Sequence, residues 1–310
     1  MRFTLRQLSY FVAAGETGSV TRAAEQVNIS QPSISAAISH LETEFGVQLF
    51  VRHHAQGLSL TPAGQRLLVA AKDAIRPSYG LYDVASSAMG AVAGPINVGS
   101  FRTFAPLIMP ELWQKFVALH PDVRMHVTEG SEAELLEGLR TARIDIALTY
   151  EISMTADMQF EPLAELSSYV LLAASHPLAA RPSLRLAELA DEPFVMLDLP
   201  LTRQYFLSLF DRAGTAPRIA AETSSPEALR SYVGAGIGFS LMTVRPRNLS
   251  AENGRPLAYV ELEDDCPPMK IGLAYLKELK RSRVTLAFEE FCRALIRDEG
   301  LPGMVRRSPR

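Results

Sequence analysis

The sequence predicts a helical N-terminal segment followed by a larger α/β region, and three observations predict this division. Apolar residues recur at helical spacing through the first sixty residues, and again from Thr61 to about Met89. From Ile96 onward, short apolar runs typical of strands alternate with amphipathic helical patterns. Such alternation indicates a mostly parallel sheet covered by helices. The Gly- and Pro-containing stretch "GAVAGP", residues 90–95, is typical of a linker.

Length and composition limit the classes of protein to which the chain can belong. The 310 residues suffice for roughly two or three domains, and 47% hydrophobic with 21% charged residues is a usual globular balance. The two cysteines, Cys266 and Cys292, are too few for a zinc ribbon or a disulfide framework, and we expect reduced thiols. No apolar run approaches the about 20 residues that span a bilayer, so we predict a cytoplasmic protein without a membrane partner.

Charge is distributed unevenly along the chain. The net charge is −3; residues 1–89 hold 7 Lys/Arg against 6 Asp/Glu, and residues 90–300 hold 21 against 28. The acidic excess therefore belongs to the α/β region, and the N-terminal segment carries no strongly basic patch that would by itself predict nucleic-acid binding. The last ten residues, 301–310, hold three Arg and form a basic tail that we expect to be disordered.

Capping residues delimit the predicted N-terminal helices. Gly15 and Gly18 are expected to end the first helix, and Ser19 to cap the second, "VTRAAEQV". Ser30 is expected to cap the third helix, with Pro32 in its first turn, where a missing N–H costs little. The alternation in "LFVRHHAQGLSLT" around Gly57 then predicts a small hairpin or wing.

A long helix is predicted after the wing. Thr61 and Pro62 provide a cap and a first-turn proline, and an apolar stripe continues to about Met89. Pro77 and Gly80 interrupt this pattern, and because an interior proline removes a backbone donor, we expect a kink or break near Pro77.

The second and third helices together predict a helix-turn-helix. Ala23 and Ala24 permit close helix packing, a short turn follows, and the next helix opens with polar side chains. Gln31 can form paired hydrogen bonds with adenine in the major groove, while Ser33 and Ser35 can bond bases or phosphates. An ordinary three-helix packing unit is the alternative that these residues leave open.

The residues "LRQLSYF" to "LTPAG", positions 5–64, resemble the winged helix-turn-helix of LysR-type transcriptional regulators without a gap. The most specific parts are "SVTRAAEQVNISQPSIS", "LE" at 41–42, "GVQLF" at 46–50 and "LTPAG" at 60–64. A looser resemblance to the effector domain of that family runs through "MPELWQKFVALHPDV", "LLEGLRTARIDIAL", "HPLA" and "VGAGIGFSLM".

The resemblance implies the domain order of that family. A winged helix-turn-helix (1–61), a dimerising linker helix (62–90) and a hinge (91–95) would precede a periplasmic-binding-protein-like effector domain (96–300). Its two α/β subdomains would span about 96–163 with 271–300, and 164–270. The resemblance also implies a homodimer or homotetramer on a double-stranded DNA operator, with a small-molecule effector and with RNA polymerase as a candidate partner.

DNA contacts are carried over from the family residue by residue. Gln31, Pro32 and Ser35 match its base-contacting positions, and Arg52 matches a backbone contact in the wing. Many members carry Arg where Ala36 stands, so a different operator preference is expected. A His53–His54 pair lacks a third ligand nearby, which favours solvated residues near phosphate over a metal or pH-sensing site. The predicted DNA-binding set is Arg22, Gln31, Pro32, Ser33, Ser35, Ala36, Arg52 and His53.

Effector contacts are expected beyond the carboxyl ends of the strands, where helix N-termini supply N–H groups for anions. Hydroxyl-bearing residues lie at such points in both predicted halves, although each hydroxyl could instead simply cap a helix. Arg203 could pair with a carboxylate, and together with the hydroxyl-bearing helix starts it predicts a small organic anion or polar metabolite as effector, held in the cleft between the halves. The predicted set is Ser100, Phe101, Thr103, Ser131, Thr149, Thr202, Arg203 and Ser224.

We expect effector binding to change the closure of the two halves and, across the hinge near Gly90–Gly94, the DNA bend.

An enzyme is less favoured, because GxSxG, GxGxxG, P-loop and HExxH motifs are missing and we assign no catalytic residue, cofactor or metal. A transport-type binding protein fits the N-terminal segment poorly. A peroxide-sensing regulator of the same family remains the alternative, although the positions of Cys266 and Cys292 do not suggest a reactive pair.

Overall fold

The computed structural model describes residues 2–53, 57–89, 91–151 and 154–305, which form two compact units. The first unit contains the chain up to Pro95, together with Arg140–Arg143 and Ser282–Val284. The second unit contains the remaining described residues, which lie within 96–139, 144–281 and 285–305; residues 306–310 of the predicted basic tail lie outside the described parts.

The first unit opens with helix α1, Leu5–Thr17, which begins at a reciprocal cap and ends at a glycine. Thr4 Oγ1 accepts from the Gln7 backbone N–H, and the Gln7 side chain accepts from the Thr4 backbone N–H. Gly18 ends the helix in the left-handed conformation, with φ 62°. The prediction that Gly15 also ends the helix is wrong, because Gly15 lies inside α1.

Helices α2 (Val20–Gln26) and α3 (Gln31–Phe45) are joined by a tight turn at Asn28, whose φ is 52°. Asn tolerates this left-handed conformation better than most residues. Ser19 caps α2 as predicted, by accepting from the Arg22 N–H. Ser30 occupies the cap position of α3, but its hydroxyl bonds Ser33 Oγ at 2.8 Å instead of a backbone N–H. The predicted capping bond of Ser30 is therefore wrong.

The wing is an antiparallel hairpin of β1 (Phe50–His53) and β2 (Gly57–Leu60). Leu58 N donates to the Gly18 carbonyl at 2.8 Å, which attaches the wing to the α1–α2 turn. Gly57 has φ 90°, and a Cβ there would come within 2.6 Å of Gly18 O. The close approach of the hairpin to this turn therefore requires glycine at position 57.

Helix α4 spans Pro62–Met89 without interruption. Thr61 Oγ1 accepts from Gly64 N at 2.9 Å and donates to the Gln48 carbonyl at 2.7 Å, so it caps α4 and ties it to the wing. The helix continues through Pro77, so the break that the sequence suggests at this residue is not seen. A kink there stays a prediction.

The core of the first unit is built from one face of each element. Phe11, Ile34, Leu41 and Leu49 are fully buried, and the rings of Phe11 and Phe50 meet edge to face at 5.6 Å. Ala23 and Ala24 are buried as their small size predicts, because they lie where α2 meets the neighbouring helices. The polar side of α3 consequently faces outward.

The first half of the second unit is a sheet of five described strands, in the order β4-β3-β5-β13-β6. Its strands are β3 (Gly94–Phe101), β4 (Val123–Gly130), β5 (Ile146–Tyr150), β6 (Met158–Leu166) and β13 (Met269–Leu276); its helices are α5 (Ala105–Leu119), α6 (Glu132–Arg140) and α9 (Arg283–Glu299). The β3 and β5 strands are parallel, whereas β13 runs antiparallel to both β5 and β6. The prediction of a mostly parallel sheet is thus wrong for this half, which is mixed.

The second half contains a sheet with the order β11-β7-β12-β8 and the parallel pair β9–β10, which joins it through a Phe194–Phe239 bridge. The β7 strand runs antiparallel to both of its neighbours. Its elements are β7 (Tyr169–Ala173), β8 (Ser183–Leu184), β9 (Pro193–Leu197), α7 (Pro200–Arg212), β10 (Arg218–Thr223), α8 (Pro226–Gly234), β11 (Ser240–Met242) and β12 (Leu257–Leu262).

The chain passes between the two halves at two neighbouring points. The first crossing follows Leu166 at the end of β6, and the second precedes Met269 at the start of β13; these two residues are partners in the sheet register. The Tyr205 hydroxyl donates to the Pro267 carbonyl at 2.8 Å and lies 2.9 Å from Ser168 Oγ. One phenol on α7 therefore bonds to both crossing segments.

We predict that Thr61→Ala lowers the free energy of unfolding by about 1–2 kcal/mol, because it removes both the cap of α4 and the bond to Gln48. The matched variant Ser30→Ala should cost clearly less, because Ser30 also occupies a cap position without making the capping bond. Urea unfolding of the two variants checks this difference. Equal losses would contradict the assigned role of Thr61.

Candidate functional site

The start of α3 presents most of the predicted DNA-binding residues on one exposed surface. Gln31 is the first residue of the helix, and Gln31, Pro32 and Ser33 are exposed, while Ser35 is half-buried. Ala36 is exposed one turn after Pro32. This surface can donate and accept hydrogen bonds at base edges, but the residues named here carry no formal charge.

Arg22 precedes this surface in the sequence, and the wing follows it. The Arg22 guanidinium is exposed and spends one N–H on the Thr17 carbonyl, at 2.6 Å. Because a guanidinium has five N–H donors, others remain for phosphate. Arg52 and His53 belong to β1, but their side chains lie outside the described parts, as does the whole of His54.

Glu42 positions the wing against α3, a role that we did not predict from the sequence. Its Oε1 accepts from the backbone N–H groups of Leu49, at 2.8 Å, and Phe50, at 3.3 Å. The carboxylate thus fixes the start of the hairpin relative to the recognition surface. The signal was present in the "LE" pair at 41–42, where a Glu directly follows the fully buried Leu41.

Three predicted effector residues converge at one edge of the first sheet. Ser100 and Thr149 come from the carboxyl ends of the adjacent parallel strands β3 and β5, and Thr103 follows β3. The buried hydroxyl oxygens of Ser100 and Thr149 have no hydrogen-bond partner among the described residues. The Thr103 hydroxyl also lacks a partner of normal geometry, although it lies near enough to the Tyr150 hydroxyl to lower its pKa. Phe101, also predicted, is buried beside them, with its ring 5.3 Å from that of Tyr150.

Glu132 adds a carboxyl group to the same edge. It follows β4, whose end is placed beside β3 by the bond from Arg102 N to the Gly130 carbonyl, 3.0 Å. The residue is 4% exposed, and in the described part of the chain neither of its carboxyl oxygens has a partner. Burial raises the pKa of Glu132 from 4.5 to about 7.

We call these four residues, Ser100, Thr103, Glu132 and Thr149, the orphan cluster. Within the described ranges they hold every buried side-chain N or O atom that lacks a hydrogen-bond partner. Buried polar groups are nearly always paired, so these groups call for partners that the described residues do not supply, such as water or a ligand. The three hydroxyl residues were predicted from the sequence, whereas Glu132 was not.

A signal for Glu132 did exist in the sequence. An acidic residue in the first turn of a helix is ordinarily explained by its favourable interaction with the helix dipole. Glu134 fits this explanation, because it lies in the first turn of α6 and is exposed. Glu132, however, precedes Leu135, Leu136 and Leu139 at helical spacing, so it lies on the buried stripe of α6.

The cluster lies beside a bond between the two halves. Tyr150 OH lies 3.2 Å from Thr243 Oγ1, so a side chain at the end of β5 reaches the segment after β11. Burial raises the pKa of Tyr150, while the hydroxyls of Thr243 and Thr103 lower it. The cluster atoms are shielded from solvent in this arrangement.

The other predicted effector residues are engaged elsewhere or exposed. Ser131 N and Oγ both donate to Glu134 Oε2 at 2.7 Å, which makes Ser131 part of a local cap. Arg203 Nη1 bonds both Asp198 and Glu222 at 2.9 Å, so its charge is matched within the protein. Thr202 is buried in α7 and Ser224 is exposed before α8, where Ser225 supplies the cap.

A separate cavity of about 460 Å³ lies between Tyr169, Thr243 and the C-terminal segment. As far as the described residues go, its lining includes none of the predicted effector residues. Its acidic and basic groups are Glu165, Arg245, Glu261, Arg297 and Asp298. Of these, Arg297 bonds Asp298 at 2.9 Å and Arg245 stacks on the Tyr259 ring, so both guanidinium groups already have partners.

The two cysteines lie in environments that disfavour the thiolate. Burial raises the pKa of the Cys266 thiol, and the carboxylates of Asp264 and Asp265 raise it further. Burial also raises the pKa of Cys292, with Glu161 and Glu289 adding to the effect. Because reactive cysteines need a lowered pKa, neither site supports peroxide sensing.

The described residues hold neither a metal-binding cluster nor a membrane-spanning helix. In residues 2–53, 57–89, 91–151 and 154–305, no group of three His, Cys, Asp or Glu side chains is arranged to hold a metal ion. Within the same ranges, no helix has the length and apolarity needed to cross a membrane.

Two sequence families match the chain. Residues 5–65 match the family described as "Bacterial regulatory helix-turn-helix protein, lysR family", and residues 90–297 match the "LysR substrate binding domain". A curated relative, the uncharacterized HTH-type transcriptional regulator YvbU of Bacillus subtilis, is 30% identical over 240 residues, 77% of this chain and 81% of the relative.

Solved structures are similar over nearly the whole chain. HinK, a LysR family transcriptional regulator from Pseudomonas aeruginosa, is 36% identical with a TM-score of 0.65, covering 95% of this chain and 98% of HinK. A C206 mutant of Corynebacterium glutamicum OxyR is 30% identical with a TM-score of 0.61, covering 96% of this chain and 94% of OxyR.

We predict that Glu42→Ala lowers the free energy of unfolding by about 1–3 kcal/mol, because it leaves the N–H groups of Leu49 and Phe50 without their acceptor. Glu42→Gln should retain part of the stability, because an amide carbonyl can still accept. Urea unfolding measures both variants. The assignment is wrong if Glu44→Ala, a neighbouring half-buried control, destabilises as much as Glu42→Ala.

We predict that Glu132→Gln changes how stability depends on pH. The pKa of Glu132 is raised on folding, so its contribution to stability is complete below about pH 4.5 and is lost as pH rises through about 7. Between pH 5 and pH 8 this loss amounts to about 2–3 kcal/mol in the wild type. Urea unfolding at both values should show that Glu132→Gln removes the loss, whereas the exposed control Glu129→Gln retains it.

Proposed function

The chain belongs to the LysR family of bacterial transcriptional regulators, and we propose that its orphan cluster is the effector site that controls its binding to an operator. The family assignment makes it a DNA-binding regulator with an effector-binding domain. The relatives that it matches are transcriptional regulators rather than enzymes. In the proposed mechanism, the orphan cluster receives the signal and the start of α3 reads the operator.

The orphan cluster is the observation that carries the proposal. Four residues from the ends of three neighbouring strands leave their polar atoms buried and unpaired, within the described chain, at one edge of a sheet. In α/β proteins that edge is where ligands bind. A ligand that supplies hydrogen bonds to these groups stabilises the arrangement around it, and can therefore shift the population of cleft states.

Closure of the cleft is the proposed conformational step. The halves are connected by two adjacent crossings bonded to Tyr205. The Tyr150–Thr243 contact and the pairing of residues 245–247 with 303–305, after α9, also join them, and we propose that the Tyr150–Thr243 contact separates when a ligand enters. Effector binding then alters the balance between open and closed forms. We propose that this change alters the spacing of DNA-binding units in the assembly, and with it DNA bending and access of RNA polymerase.

The proposed assembly is a homodimer through α4, with two dimers forming a tetramer on neighbouring half-sites. Support comes from the exposed apolar surface of α4, where Val69, Ala70 and Ala74 face solvent in the single chain. An apolar helix surface of this kind is commonly covered by a partner. We place this assembly in the cytoplasm, where the operator is.

The proposed reading surface is the exposed start of α3, with Gln31, Ser33 and Ser35 as hydrogen-bonding groups. Phosphate contacts would come from Arg22 and Arg52, which position the protein without specifying sequence. An uncharged recognition surface is thus compatible with DNA binding, because phosphate contacts can come from basic residues outside it.

Footprinting on the DNA beside the protein's own gene, with and without a panel of metabolites, tests the proposal. We expect a protected site with two half-sites and a changed pattern when the effector is present. Ser100→Ala should weaken the metabolite response while leaving basal protection intact. Failure to find any protected site in the genome would refute the proposed operator binding.

We predict that Ala36→Arg tightens DNA binding and steepens its salt dependence by about one unit of slope, because a new cation reaches the groove or a phosphate. It should also shift base preference at the position that it faces. Leu5→Arg, which adds the same charge at an exposed position on α1, should change the slope less. Binding assays across salt concentrations compare the two variants; identical slopes would mean that residue 36 does not face DNA.

A further inference from the structure

The charge of the orphan cluster indicates what kind of ligand it binds. Three of its members are hydroxyls, which can donate or accept, so they do not select for ligand charge. Glu132 is its titratable member, and burial acts on this carboxyl as the single cause of its raised pKa. Selection for charge at this site therefore falls to Glu132.

Neighbouring cations are already paired with other groups. Arg102, which follows β3 at the same edge, bonds Glu134 at 3.1 Å, and Glu134 also accepts from Ser131. Arg203 bonds Asp198 and Glu222. An anionic ligand at this edge would therefore meet the buried Glu132, whereas Arg102 and Arg203 already bond carboxylates of the protein.

The two carboxyl oxygens favour a donor ligand over an acceptor. If Glu132 is protonated, it offers one O–H and still leaves its second oxygen without a donor, so an anion cannot satisfy both atoms. If Glu132 is ionised, both oxygens accept, and a planar amidinium or guanidinium can satisfy them with two parallel N–H bonds. An ammonium group also supplies enough donors.

We propose that the Glu132 carboxylate recognises a protonated nitrogen group, such as an ammonium, amidinium or guanidinium, on an effector whose other polar atoms bond Ser100, Thr103 and Thr149. This rests on the proposed function in taking the orphan cluster as the effector site. It differs from the small organic anion that the hydroxyl-bearing helix starts and Arg203 predict, since Arg203 is bonded to two carboxylates of the protein.

Probes of equal shape and opposite charge test the proposal on the full chain. Acetamidinium is compared with acetate, and benzamidinium with benzoate, at constant ionic strength, by the shift in thermal unfolding midpoint. We expect the two amidinium ions to raise the midpoint of the wild type more than the two carboxylates do. Glu132→Gln should reduce amidinium affinity at least tenfold, whereas the charge-matched control Glu129→Gln, exposed on β4, should leave it unchanged.

The direction in which ligand affinity changes with pH shows whether the ionised or the protonated form of Glu132 binds the ligand. With the pKa of Glu132 at about 7, the ionised fraction rises about tenfold from pH 6 to pH 8, and amidinium affinity should rise with it. The amidinium probes remain protonated throughout. Affinity for carboxylates that instead falls over this range would show that a protonated Glu132 binds an anion, and would overturn the proposal.

Three results keep the two proposals distinguishable. If wild type and Glu132→Gln respond equally to all four probes, the ligand class is wrong. If Ser100→Ala weakens a metabolite response that Glu132→Gln leaves intact, the site stands and the ligand class still fails. If neither variant alters any response, the cluster is not the effector site, while footprinting still decides operator binding independently.

Discussion

The path of the chain between the two α/β halves is the constraint on which the second unit depends. Because β13 returns to the first sheet beside β6, the two crossings lie next to each other at paired residues, Leu166 and Met269. Two adjacent strands can bend together, whereas two distant connections would resist a common rotation. The Tyr205 hydroxyl bonds both crossing segments, which joins them into one connection between the halves. A second connection is the pairing of residues 245–247 with residues 303–305, after α9.

Local signals made much of the fold predictable. The helices of the first unit are defined by caps, small residues and apolar spacing, all of which act within a few residues. The structure follows these signals except at Gly15, which lies inside α1, and at Ser30, which makes no capping bond. Prediction was weaker for the strands from β6 to β13, because long-range pairing decides their direction and order. The antiparallel placement of β13 between β5 and β6 depends on pairs of residues more than 100 positions apart, such as Ala274 with Ala147. Local apolar periodicity cannot predict such pairs.

The candidate site divides in the same way. Ser100, Thr103 and Thr149 could be named from the sequence, because strand ends followed by hydroxyl residues are locally visible. The engagement of Arg203 by Asp198 and Glu222 could not, since it depends on how β9, α7 and β10 come together. Glu132 was not predicted for a related reason. From the sequence it can be an exposed acid in the first turn of a helix or part of the buried stripe of α6, and only the packing of α6 distinguishes the two.

The unpaired groups of the orphan cluster also have a consequence for the lifetime of the protein in the cell. Desolvated polar atoms without partners lower the stability of a fold, and the proposed effector, by pairing them, would raise it. Proteases act on the small population of opened chains, which falls exponentially as stability rises. Abundance of the regulator would then follow supply of its effector, so that the cell retains more of the protein when there is a signal to respond to.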